Sequence, residues 1–140
     1  MSYKIIGKYI KDLRFNISNP KVFFLLSKNI SNYKINIDIK SNQIKNNIIE
    51  VLTSLSLSPT KKEDLDKIET KIIFSTIVEL NDKNLQKEEI EKIILINVPT
   101  EIYKELRQIF IFLFENSGFR DVKINEMVDF EKLFKLRKNQ

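Results

Sequence analysis

Apolar and polar residues alternate most cleanly between positions 33 and 40. There Tyr33, Ile35, Ile37 and Ile39 interleave with Lys34, Asn36, Asp38 and Lys40. A period of two marks a strand with one buried and one wet face. Three further stretches read as strands. In the first, over residues 3–17, Tyr3, Ile5, Tyr9, Leu13, Phe15 and Ile17 fall on one side, with Ile6 and Ile10 opposite. Another runs from about Ile48 to Ser58, where Ile49, Val51, Thr53, Leu55 and Leu57 share a side. The last, over residues 71–80, is rich in β-branched residues. Asn19-Pro20 ends the first strand, and Val22-Phe23-Phe24-Leu25-Leu26 is too short to separate a helical turn from a buried loop. Ser41-Asn42-Gln43 and Asn46-Asn47 supply turn chemistry, while Pro59 and the charged residues 61–67 form a polar connection.

After Gln86 the period changes. Ile90, Ile93 and Ile94 among charged neighbours predict a short amphipathic helix, which Pro99 interrupts. A long helix over residues 98–119 follows, opened by Pro99, capped by Thr100 and stopped by Gly118. Its first half is amphipathic. Its second half, Ile109-Phe110-Ile111-Phe112-Leu113-Phe114, is apolar all round and must be covered on every side. The chain's own sheet covers one side; a second subunit, a second element or a bound client must cover the other. Beyond a loop through Val122 and Ile124, Asp129 caps a last short helix on which Phe130, Leu133 and Phe134 share a face. The basic tail from Lys135 to Gln140 is expected to fray.

Strands first and helices later predict an α+β fold, and short connections predict antiparallel pairing. Residues 1–140 form a single domain: a four-stranded sheet over 1–80 and a helical layer over 86–137. Ile6, Ile10 and Leu52 give the second sheet face enough apolar surface to require partial cover.

Composition removes whole classes of chemistry. There is no cysteine and no histidine, so thiolate nucleophiles, disulfides and the usual general base are excluded. Gly7 and Gly118 alone cannot build a phosphate loop. Glu79, Glu88, Glu89 and Glu91 sit among lysines on exposed-looking segments. No catalytic residue, metal or cofactor is expected. No run is long enough to span a membrane, and Met1-Ser2-Tyr3-Lys4 lacks a signal-peptide core, which reads as cytoplasmic. The net charge of +5 comes from lysines spread along the chain, with arginine only at 14, 107, 120 and 137. Spread lysines make a solvated surface, so no nucleic-acid partner is expected, and a basic nucleic-acid-binding module stands only as a weaker alternative.

Several segments together carry a family resemblance. Tyr9-Ile10-Lys11-Asp12-Leu13, Pro20, Lys34-Ile35-Asn36-Ile37-Asp38, Ile49-Glu50-Val51, Val98-Pro99-Thr100-Glu101-Ile102-Tyr103 with Arg107, Gly118-Phe119 and Val128-Asp129-Phe130-Glu131-Lys132-Leu133-Phe134 occur in order. In order and spacing the chain resembles SecB, the bacterial protein-export chaperone. The resemblance implies a two-layer fold, a homotetramer built as a dimer of dimers, and ATP-independent holding of unfolded precursors for the SecA motor. The implied interface residues are Ile109, Phe110, Leu113 and Phe114. Asp12 matches the acidic surface that docks SecA, whereas Asn16, Ile77 and the basic tail depart from it. A relative serving a toxin–antitoxin pair or another dedicated client is the alternative.

Holding an unfolded chain needs apolar grooves that demand no particular sequence. The aromatic clusters nominate Phe23, Phe24, Leu25 and Tyr33 from the early part of the chain. Phe112, Phe119, Leu133 and Phe134 are nominated from the helical layer. For each of these, ordinary core packing is the competing reading.

Overall fold

All four predicted strands form, and they pair antiparallel into one sheet with the order β1-β4-β3-β2. The computed structural model describes residues 2–29, 33–59, 69–82, 84–119 and 124–138. The charged connection over 61–67 lies outside them. The strands are β1 (Tyr3–Asn16), β2 (Tyr33–Lys45), β3 (Ile48–Pro59) and β4 (Glu69–Leu80), so β1 and β2 are the two edges. The helices are α1 (Pro20–Asn29), α2 (Lys87–Lys92), α3 (Val98–Asn116) and α4 (Phe130–Lys138).

Alternation decides which side chains reach the helical layer. Val51, Thr53 and Leu55 of β3 are fully buried on the inner face, as are Ile72, Thr76 and Val78 of β4. Strand β1 departs from simple alternation. Register shifts between Ile5 and Gly7 and between Ile10 and Asp12 leave Ile6 and Lys11 as bulged residues. Each slip exchanges the faces. Tyr9 therefore pairs with Ser75 on the outer face, and Ile10 pairs with Phe74 on the inner one, the reverse of the predicted sides. Strand β2 also runs further than expected. Ser41, Asn42 and Gln43 stay paired with β3, and the hairpin turns at Asn46-Asn47.

The run 22–26 belongs to a helix. Pro20 supplies the first residue, and the Asn19 side-chain oxygen accepts the Val22 N–H at 2.9 Å. Pro99 does not end the helix before it. With no N–H to donate, it cannot bond the carbonyl four residues back, and the chain widens into a π-helical turn over Ile93–Asn97 that joins α2 to α3. Thr100 accordingly caps nothing; its hydroxyl donates to the Ile96 carbonyl at 2.5 Å. Gly118 does stop α3, at φ +91°, with its N–H and that of Phe119 donating to the carbonyls of Glu115 and Phe114. Asp129 caps α4 through the Lys132 N–H at 3.0 Å, and the tail expected to fray is helical to Lys138.

Helix α3 lies on the inner face. Ile102, Leu106, Phe110 and Phe114 are buried with Leu55, Ile72 and Phe74 in one core. A second cluster joins Tyr3, Ile49, Val51 and Val78 to Ile93 and Val98. Strand β1 is fastened to α3 by Tyr3 Oη donating to Glu101 at 2.9 Å and by a Lys8–Glu105 ion pair at 2.6 Å. Among the described residues no element covers the outer sheet face, where Leu52, Ile73 and Ile77 stay half-buried.

Candidate functional site

Edge strand β2 and the helical layer do not close completely on each other. Between them runs a trench made of two adjoining clefts. The first, about 160 Å³, is walled by Ile37, Ile39, Leu95, Phe130, Leu133 and Phe134. The second, about 430 Å³, continues along Ile39 to Asn42 on one wall and Glu91, Ile94 and Leu95 on the other. Ile39, Leu95 and Arg137 belong to both, so the two clefts form one path along the strand. Its floor is aliphatic and aromatic, while Asp38, Lys40, Glu91 and Arg137 stand at its rim.

The elements beside the trench explain its shape. The π-helical turn brings Ile94 and Leu95 to the wall. Capping by Asp129 sets the start of α4, which presents Phe130, Leu133 and Phe134. Residues 124–128 are clamped to α3: Tyr103 Oη donates to the Asn125 carbonyl at 2.7 Å, and Arg107 donates to the Ile124 carbonyl from Nε at 3.2 Å and Nη2 at 3.1 Å. Burial raises the Tyr103 phenol above its ordinary range, so it remains a donor. A third cleft of about 450 Å³ opens on the other side of Phe130, lined by Tyr103, Lys104, Arg107, Glu126, Met127 and Val128. The geometry offers apolar binding surface, and among the described residues no group of three or more acidic side chains could hold a metal. No helix among them is long and apolar enough to cross a membrane.

A family model described as preprotein translocase subunit SecB matches residues 1–140. The chain belongs to the SecB family. It is 41% identical over 138 residues to a Pelagibacter ubique protein named as protein-export protein SecB, covering 99% of this chain and 98% of that one. The SecB of Rhodospirillum rubrum is 29% identical over 95% of this chain and 80% of its own. That of Anaplasma phagocytophilum is 24% identical, with 94% and 89% covered. Among solved structures, a SecB-like chaperone of Mycobacterium tuberculosis in complex with an antitoxin peptide superposes at TM-score 0.67. It is 10% identical and covers 91% of this chain and 88% of that one. As a member of that family the chain is a protein-export chaperone.

Against the SecB reading, the nominated groove residues divide into separate places. Leu133, 46% exposed, and Phe134, nearly buried, line the trench. Phe23, Phe24 and Leu25 lie on α1 instead, at the far end of α3. The Phe23 ring is 5.2 Å from Phe119 and 5.5 Å from Phe24. Phe24 is 64% exposed, but Phe119 is 2% exposed and 5.6 Å from Phe114, so it is core and not groove. Phe112, 61% exposed, projects from the open flank of α3. The side chain of Tyr33 lies outside what the structure describes. Ile37, Ile39, Ile94, Leu95 and Phe130 are trench residues that were not nominated.

The nominated interface needs a similar correction. Phe110 and Phe114 are fully buried against the chain's own sheet, because they continue the inward face of Ile102, Tyr103 and Leu106. Ile109 and Leu113 are half-buried, and Phe112 is exposed. Ile10 and Leu13 on the inner side of β1 are exposed as well. Asp12 lies on the outer face opposite Ile73, and its Oδ2 accepts from Arg14 Nε at 3.2 Å. That ion pair is largely exposed and contributes little to stability.

Proposed function

We propose that the trench along β2 holds apolar segments of unfolded precursor proteins, keeping them competent for Sec-dependent export without ATP. The observation that carries this is one continuous apolar path with a charged rim, beside an edge strand. Burying one client side chain contributes roughly 1.5–3 kcal/mol before ordering costs. A single trench is therefore weak, and a long client is held by several at once. The exposed strip of Ile10, Leu13 and Phe112, with Ile109 and Leu113 beside it, is the surface through which copies assemble into a homotetramer. The outer face around Asp12 is the docking surface for the SecA motor, and the chaperone works in the cytoplasm. A chaperone dedicated to one antitoxin is the second reading; its support is a likeness of fold to the antitoxin-bound neighbour.

Delayed refolding of a slow-folding precursor tests the trench. Leu133→Glu places a charge on an exposed wall position without entering the core. It should weaken retention on the order of fivefold, the equivalent of about 1 kcal/mol. Retention equal to that of the unsubstituted chain refutes the trench as the client site.

A further inference from the structure

Arg137 stands where the two clefts of the trench meet, and it lines both. Its place is set by α4. Phe130, Leu133, Phe134 and Arg137 follow the spacing of one helix face, so an arginine ends a stripe that is otherwise apolar. The rest of the charged rim is Asp38 and Lys40 from β2 and Glu91 from α2. The ion pairs among the described residues are Lys8–Glu105, Arg14–Asp12 and Lys135–Glu131, so neither acid of the rim takes the guanidinium.

An apolar trench suits the side chains of a segment that enters it, but not its backbone. A peptide carbonyl taken out of water without a donor is costly. The wall residues Ile37, Ile39, Ile94, Leu95 and Leu133 have no side-chain donor to offer. We infer that Arg137 supplies one: its guanidinium donates to backbone carbonyls of an extended client segment lying across the junction. The chain makes the same contact within itself, where Arg107 gives two N–H groups to the Ile124 carbonyl at 3.2 and 3.1 Å. Charge balance selects a neutral acceptor over a carboxylate. Lys40 and Arg137 offset Asp38 and Glu91, so an acidic client side chain gains no net attraction from the rim. Every residue carries a carbonyl, so this contact adds affinity without adding a sequence requirement. The inference rests on the proposed assignment of the trench to clients, and it names the client atoms that are held.

Calorimetry of the full chain with a capped, uncharged peptide of leucine, serine and glycine tests the contact. Arg137 is exposed, so its replacement leaves the core intact, which circular dichroism melts check. Arg137→Leu adds apolar surface to the wall, yet it should weaken binding about fivefold. Arg137→Lys keeps the charge but loses the planar fork, and should recover little of that loss. Binding to the unsubstituted chain should change little with salt. Equal or tighter binding by Arg137→Leu overturns the inference, and so does full recovery by Arg137→Lys. If a peptide with one serine replaced by glutamate binds about tenfold tighter and loses the gain in salt, the target is a carboxylate and the inference falls. Leu133→Glu, measured with the same peptide, separates the arginine contact from the trench assignment. If Leu133→Glu weakens binding and Arg137→Leu does not, the trench assignment stands without the arginine. If neither weakens it, or the unsubstituted chain does not bind, both are overturned.

Discussion

Phe114→Ala and Phe112→Ala, two residues apart, should fail in different ways. Phe114 is fully buried, with ring centroids 5.1 Å from Phe15, 5.0 Å from Phe110 and 5.6 Å from Phe119. Truncating such a side chain costs about 3–5 kcal/mol. Three lost aromatic pairs, each worth about 0.5–1.5 kcal/mol beyond area, put it at the upper end. An unfolding entropy of about 2.1 cal/mol/K per residue gives 140 residues about 0.3 kcal/mol/K, so 5 kcal/mol lowers Tm by roughly 15 °C. Phe112 is 61% exposed, and its truncation should stay within about 0.5 kcal/mol, or roughly 2 °C. The loss there should appear in sedimentation as a shift toward smaller species. Melts at several protein concentrations separate folding from assembly. A Phe114→Ala protein melting within about 3 °C of the unsubstituted chain, or a Phe112→Ala protein as unstable as Phe114→Ala, refutes the assignment of one ring to the core and the other to the surface.

Three further outcomes follow from the interior. The buried hydroxyl of Thr76 has no hydrogen-bond partner, so Thr76→Val should stabilise by about 1 kcal/mol. The check is a higher urea midpoint at unchanged slope; a lower midpoint refutes it. Burial, and then the hydrogen bond to Glu101, raises the Tyr3 phenol to about 12, above the 10.0 of a free tyrosine. That contribution is complete below pH 10 and is lost as pH rises toward 12, so Tyr3→Phe should show a shallower alkaline decline in urea midpoint, and identical declines would contradict it. Gly118→Ala meets both φ +91° and a Phe23 ring carbon 3.2 Å from the new methyl, costing about 1–2 kcal/mol. An unchanged melting point would count against that strain.

The four strands, their antiparallel pairing and the helical layer were legible because hydrophobic periodicity is a local signal. Ile35, Ile37 and Ile39 declare their buried face without help from the rest of the chain. The pattern of β1 gives its extent and the facing of Tyr3, Ile5, Leu13 and Phe15, but it reverses Tyr9 and Ile10, because a bulge at Ile6 or Lys11 leaves no mark in composition. Asn42 reads as a turn residue, yet cross-strand pairing with Glu50 holds it in β2. The trench was only half legible. Its walls come from residues near 37–42, 91–95 and 130–137, which no local pattern brings together. Leu133 and Phe134, nominated from the aromatic cluster, do line the cleft, whereas Ile94 and Leu95 leave no such signal because their placement depends on a π-helical turn. The apolar run 109–114 does not say which of its rings face inward: Phe110 and Phe114 are buried and Phe112 is exposed.

The join at Ile93–Asn97 is, in effect, a one-residue insertion stored inside a helix. Excising a single residue there would let the chain relax to ordinary α geometry, swinging everything upstream by about 100° about the axis of α3. Glu91 would then leave the trench and the wall would be rebuilt from whatever rotated into its place. On the proposed assignment of the trench to clients, length variation at this joint would retune which polypeptides fit, while the sheet and its core remain as they are.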